Sequence, residues 1–238
     1  MGRLNSIFTG VSMRRFNLFS LCLLMAVSMG LPAQVRRAEG FTRLPDGAKV
    51  AVMPMDVELF ALTAGGVAEP KAEWTTKAVA NLQEALRLRG AGTGGRFIAM
   101  PPSDDPILAE LVHLHGAVVL AIDLHHFGTW KLPTKGEKLD WSLGEEASII
   151  AAKGEADFAL FIQFRDSYAT GGRVASSVLW AMVGVAQRGG SQSGHASLVD
   201  LKTGRIVWVN RMFSATGDVR ELEPAKATLQ KLLQDFPG

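Results

Sequence analysis

Cysteine is almost absent: Cys22 is the one thiol in 238 residues, and it sits in an apolar run near the amino terminus. A disulfide framework, a cysteine nucleophile and a Cys-rich metal site are excluded with it. An excess of either charge is missing too. The formal net charge is +2, from 25 basic and 23 acidic residues. No basic face or aromatic-interleaved basic run is present, so nucleic acid is not expected as a partner. The long apolar run near the start, Phe16–Leu31, is 16 residues, short of the ~20 that span a bilayer as a helix. Neither Ser167 nor Ser197 lies in a G-x-S-x-G elbow. No nucleophile with an arranged base is legible, and no enzyme activity is expected.

What is present begins with an address. Arg14-Arg15, the apolar run and Pro32-Ala33 have the layout of a secretory signal peptide. Met13 gives the more compact signal, and translation is expected to start there. Lipidation at Cys22 is not expected, because Leu21 precedes it and Leu23-Leu24-Met25 follows. The domain reading is a signal at 1–33, a polar leader at 34–48 acting as a tether, and one α/β domain at 49–238. An uncleaved anchor is the alternative. Removing 1–33 takes Arg3, Arg14 and Arg15 from 25 basic residues, leaving 22 against 23 acids. The exported chain is then close to neutral. Its stability must come from burial, for which ~200 residues suffice.

Periodicity places the elements. Lys49–Met53 reads as a strand, with Pro54 ending it or placing a bulge. In Ala72–Arg89 the residues Trp74, Ala78, Leu82, Ala85 and Leu86 form one helical stripe. Gly90–Arg96, GAGTGGR, follows a helix and opens the strand Phe97–Met100. It therefore lacks the strand-to-helix setting of a dinucleotide fingerprint, and no cofactor is expected. Asp105 and Pro106 are an N-cap and first helical residue. Helical spacing continues to about His126. Ser142 and Glu145 have capping-box spacing for a short helix ending near Gly154. Phe158–Phe164 is a continuous apolar strand. His195–Phe213 reads as a hairpin about Lys202-Thr203-Gly204, with Gly204 at a positive φ. Alternation puts Ile206, Trp208 and Met212 on one face of its second strand, and Val207, Val209 and Phe213 on the other. A last helix carries Ala225, Leu229, Leu232, Leu233 and Phe236. The fold class is α/β, a mixed sheet with helices on both faces and a late antiparallel hairpin.

The export signal, polar leader, opening strand Val50-Ala51-Val52-Met53-Pro54 and hairpin SLVDLKTGRIVW together resemble a group of envelope α/β domains. The group comprises the curli-secretion lipoprotein CsgG, the LpoB-type activators and the amino-terminal domain of TolB. The export signal and the absence of an assembled catalytic set make the expected function a non-enzymatic envelope module that binds an envelope protein partner or itself. The shared residues are structural, so the resemblance transfers no site residue. A lipidated cysteine, present in the lipoprotein members, is lacking here.

Three places invite a site. His113, His115, His125, His126 and His195 do not converge. His115 and His126 share a helix face but lie about 16 Å apart, so no metal site is expected, and they read as helix-surface residues. Arg165–Arg173 leaves an apolar strand for a segment that can be helical. Arg165, Ser167, Thr170, Gly171, Gly172 and Arg173 there could hold a phosphate or carboxylate, which would make a small-anion or ligand-binding site the alternative function. The plainer reading is a capped turn with solvated arginines. Val174–Ala186 is uncharged and apolar all round. It is either a core helix under the sheet or a helix whose Leu179, Trp180 and Val183 meet a neighbouring subunit or the membrane surface.

Overall fold

The computed structural model describes residues 34–91, 96–182 and 190–238. The expected signal segment and Val183 lie outside them. All described residues belong to one compact unit, Leu31–Gly238.

The apolar stretch Phe158–Phe164 is the middle of the sheet because neighbours cover both of its edges. Strand β6 (Phe158–Ala169) pairs antiparallel with β7 (Gln192–Asp200) on one side. On the other it pairs in parallel with β2 (Val50–Val52) and then with β3 (Asp56–Leu62). Val50 faces Phe158 at an offset of 108, and Asp56 faces Gln163 at an offset of 107. The one-residue slip lies about Pro54, a bulge where a ladder donor is missing. β8 (Ile206–Ser214), β1 (Gln34–Arg37), β5 (Phe97–Ala99) and β4 (Ala68–Pro70) complete a mixed sheet. Its main order is β1-β8-β7-β6-β2-β5, with β3 and β4 beside the second half of β6.

Helices cover both faces. α1 (Ala72–Gly90) and α5 (Leu222–Leu232) bury Ala78, Leu82, Leu86, Ala225, Leu229 and Leu232 against Val52, Leu160, Phe164 and Trp208. α2 (Pro106–Ile122) and α3 (Ser148–Gly154) bury Leu108, Leu111, Ile122 and Ile150 against Ala51, Phe161 and Val209. Asp105 caps α2 as expected, accepting from the Ile107 amide at 2.9 Å. α2 then passes into a π-type turn, Asp123–Phe127.

Four local readings are corrected. The leader is no tether: β1 pairs with β8, and Ala38 and Leu44 are buried. Ser142 bridges to Arg205, and its hydroxyl accepts from Gly144 rather than from a helix turn; the short helix opens instead with a 3₁₀ turn, Glu145–Ala147. α1 runs through Gly90 and ends at Ala91 in ordinary helical geometry. In the hairpin Leu198 pairs with Trp208 but Val199 pairs with Ile206, so Val207 is an extra, bulged residue. The bulge puts Val207 in the same core as Trp208 and sends Ile206 to the opposite one with Val209. Simple alternation cannot foresee that exchange.

Candidate ligand-binding site

The stretch Arg165–Arg173, expected as a loop, is mostly strand. β6 continues to Ala169, and only Thr170 separates it from α4 (Gly171–Met182). The cause is lateral pairing: β3 holds Gln163–Ala169 on one edge, and β7 holds the other as far as Asp166. A strand sends alternate side chains to opposite faces, so the stretch is divided.

Arg165 and Ser167 share one face. Arg165 Nη2 lies 2.8 Å from Asp56 Oδ1, and its Nε lies 3.6 Å from Glu58 Oε2. Its Nη1 donates to the Asp56 carbonyl at 2.9 Å. Ser167 Oγ accepts from the Ser191 amide at 3.1 Å. Thr170 Oγ1 donates to the Leu62 carbonyl at 2.8 Å and accepts from the Arg173 amide at 3.3 Å, which caps α4. Gly171 and Gly172 are exposed at the helix start, and the half-buried Arg173 lies against Gly66. The six residues are strung from a strand into a helix, and Arg165 already meets two carboxylates of its own chain.

Asp166 and Tyr168 take the opposite face, and there the geometry converges. Asp166 is 2% exposed. Its Oδ2 accepts from Tyr168 Oη at 2.5 Å and from Gln192 Nε2 at 2.8 Å. Tyr168 Oη accepts in turn from the Val219 amide at 3.1 Å. The Arg220 guanidinium lies 3.9 Å from the Tyr168 ring centre and 4.5 Å from that of Trp74, held by two bonds to Asp218. Burial pushes the Asp166 carboxyl up to about 6, against the opposing pull of the Tyr168 and Gln192 bonds. Burial, and then the carboxylate beside it, push the Tyr168 hydroxyl up as well. Its bonds to Arg220 keep Asp218 below the usual carboxylate range.

A cavity of about 120 Å³ adjoins this group, lined by Asp166, Tyr168, Gly190, Ser191, Gln192 and Gly217 among others. A side chain at Gly190 would fall 1.7 Å from the Ser167 carbonyl oxygen, so glycine is what lets the backbone close here. Gln192 is 2% exposed, and its Oε1 has no hydrogen-bond partner among the described residues. Sequence reasoning passed over Asp166, Tyr168 and Gln192. The first two lie in the Arg165–Arg173 stretch that reads as a capped turn, and Gln192 lies just before the expected hairpin with no motif of its own. The sequence offers no clean signal here, because Asp166 interrupts the alternation that Phe164 and Tyr168 would otherwise continue along the strand.

Two of the histidines expected on a helix surface, His115 and His126, are buried instead, while His113 is exposed. His115 stacks on Phe161 at 4.1 Å between ring centres, and its Nε2 is hydrogen-bonded to Ser197 Oγ. Burial, with His195 nearby, lowers it to about 3. His126 is buried and bonded to Trp141 Nε1 at 2.7 Å. Asp123 pairs with His195 at 2.8 Å and Arg211 at 3.6 Å. Ser197 and His195 of β7 supply two of these partners, Arg211 of β8 and the loop residue Trp141 the others. Ser197 is fully buried, so the pair latches helix to sheet and is closed to a substrate. Among the described residues no three His, Cys, Asp or Glu side chains are grouped to hold a metal ion.

Two other surfaces stand out. An apolar groove of about 850 Å³ runs between α1 and the β2–β5 edge, with Met53, Met55, Leu86, Phe97 and Met100 in its walls. The titratable groups among its described lining residues are Glu84 and Arg87, which are bonded to each other. α4 is the second. None of its residues is buried; Leu179 is 66% exposed and Trp180 49%. Among its described residues the reading as a core helix is therefore corrected. At 100° per residue, Val174, Ala175, Val178, Leu179, Ala181 and Met182 fill one arc and Arg173, Ser176, Ser177 and Trp180 the other. The half-buried residues are Arg173, Ser176 and Ser177, while the whole apolar arc is exposed. Ser176 and Ser177 donate to carbonyls of their own helix, Arg173 and Val174. The helix is amphipathic with its apolar side outward.

No family model and no curated protein matches this sequence. Among solved structures it is similar to a PelC dodecamer from Paraburkholderia phytofirmans, at 15% identity and TM-score 0.42, over 87% of this chain and 98% of that one. It is similar to the LpoB C-terminal domain from Salmonella enterica at 14% identity and TM-score 0.29, over 74% and 86% of the two chains. The lipoprotein GNA1162 from Neisseria meningitidis gives 15%, 0.28, 70% and 78%. The LpoB domain belongs to the group named from the sequence. Likenesses this loose carry no argument about function.

Proposed function

We propose that the chain is an exported, non-enzymatic assembly module of the cell envelope that docks through the outward face of α4. The supporting observation is the inverted amphipathicity of that helix. Exposed apolar arcs of this kind mark contact surfaces, and here the polar arc is spent on the chain's own body. A second copy of the chain is the occupant we favour. The exported chain is near neutral, so copies do not repel strongly. α4 offers one cation, Arg173, among its described residues, little to attract anionic lipid. An envelope partner of similar apolar chemistry is the related case.

The experiment takes the chain from the envelope fraction, reads its first residue near Ala33-Gln34, and measures its mass in solution. The expected result is an assembly larger than the monomer, reduced to a folded monomer by Leu179→Glu. A wild-type chain that stays monomeric at tens of micromolar overturns self-association. Vesicle binding lost with the same variant would move the contact to the membrane surface.

A further inference from the structure

We propose that the cavity bounded by Asp166, Gln192 and Gly217 binds a primary ammonium group, accepted by Gln192 Oε1 and the Asp166 carboxylate. This site is independent of docking through α4, and either can fail without the other.

Three observations lead to that ligand chemistry. The first is the hydrogen-bond inventory. The Tyr168 hydroxyl and the Gln192 amide nitrogen already donate to Asp166, while Gln192 Oε1 is buried without a partner among the described residues. A buried acceptor left unmet costs free energy, and a donor arriving in the cavity would satisfy it. The second is charge. The carboxylates of Asp166 and Asp218 face one guanidinium, Arg220, which Asp218 already engages through two bonds. The surplus is one negative charge, which selects a cation over an anion. The third is size. About 120 Å³ has room for roughly four water-sized groups, enough for an ammonium and its first carbons but not for a sugar ring. Calcium wants six to eight oxygens, more than one carboxylate and one amide supply; an ammonium is content with two or three. The raised Asp166 carboxyl agrees with this, since a buried carboxylate without a cation is held in a costly state.

The ammonium could be that of a free small amine or of a lysine side chain on a partner. The test is a titration of the purified full chain at constant ionic strength, read from the Gln192 side-chain amide and the Asp166–Tyr168 backbone amides by NMR. The probes are methylammonium and Nα-acetyl-lysine methylamide, with tetramethylammonium as a cation that cannot donate. Saturable shifts with one or both primary amines are expected, and tetramethylammonium should not produce them. Asp166→Asn, which keeps an acceptor for Tyr168, and Gln192→Met, which keeps the volume, should each weaken binding at least tenfold while leaving the spectrum of a folded chain. Tighter binding of the lysine model assigns the site to a partner's side chain, and tighter binding of methylammonium to a free amine. The proposal fails if no shift saturates, if tetramethylammonium matches the primary amines, or if either folded variant binds as the wild type does.

Discussion

Asp166 and His115 are buried titrating residues, one against each face of the sheet, and they respond to acid in opposite directions. The Asp166 carboxyl, near 6 in the fold and about 3.9 when unfolded, binds its proton more tightly in the native state. Its contribution to stability is therefore greatest below about 3.9 and declines as pH rises toward 6. His115, near 3 in the fold and about 6.5 when unfolded, must stay neutral to remain buried. Its contribution is intact above about 6.5 and is lost as pH falls toward 3. Each full proton changes stability by about 1.4 kcal/mol per pH unit, so between about 4 and 6 the two nearly offset. Asp166→Asn removes one arm. The variant should be more stable than wild type at pH 7–8 by ~1–3 kcal/mol, with Asn still accepting from Tyr168 and Gln192. Between pH 6 and 4 its urea midpoint should fall more steeply than that of the wild type. A variant less stable at neutral pH would mean that the carboxylate is well solvated or paired in the native state.

Among the elements, the long and strongly patterned ones were legible and the short, laterally supported ones were not. The stripe of α1, the cap of α2 and the hairpin turn each rest on local chemistry, and each stands where the residues put it. Gly204 has φ +68°, as the turn demands. β3 was missed although Val57, Leu59 and Ala61 alternate inward with Asp56, Glu58 and Phe60, because the charges read as surface. β1 and β4 are four and three residues long, and nothing in Gln-Val-Arg-Arg announces a strand whose partners lie 171 to 177 positions on. The second half of β6 reads as loop for the same reason: its pairing with β3 is non-local. Gly204 offers the sharpest check at this scale. A side chain there would meet the Gly144 carbonyl oxygen at 2.0 Å, on a backbone that L-residues rarely adopt. Gly204→Ala should cost at least ~2 kcal/mol, strain and displaced backbone together, read as a lowered urea midpoint with unchanged slope. A neutral result would mean that the turn shifts freely against the 142–144 bridge.

At the scale of the whole molecule, the candidate site and the domain boundary share one reason for being misread from the sequence. Both are made by segments distant in the chain, Asp166 with Gln192 and Tyr168 with Val219 in the first case, and Gln34–Arg37 with β8 in the second. The boundary has the larger consequence. β1 covers the outer edge of β8, which would otherwise present unpaired backbone groups to other chains. The residues after it bury Ala38 and Leu44 at 3% and 2% exposure in the core shared by Trp208 and α5. Leu44 also donates its amide to the Pro237 carbonyl at 2.7 Å, and Arg37 Nη2 donates to the Asp235 carbonyl at 2.7 Å, so the segment fastens the chain's last turn. A tether could be cut without cost; this segment cannot. Burial of Leu44 alone corresponds to ~2–4 kcal/mol by the usual loss on truncation of a core leucine to alanine, before the β1 pairing is counted. A chain beginning at residue 49 should therefore lose at least ~3 kcal/mol relative to one beginning at residue 34, a large part of a typical domain's total. It should also aggregate through the bared β8 edge, which a charged substitution at the exposed end of that strand, Phe213→Lys, would reduce. Urea denaturation and light scattering on the two chains decide the matter. Equal midpoints and equal solubility would show that the domain begins at β2 and that the β1–β8 pairing contributes nothing to its stability.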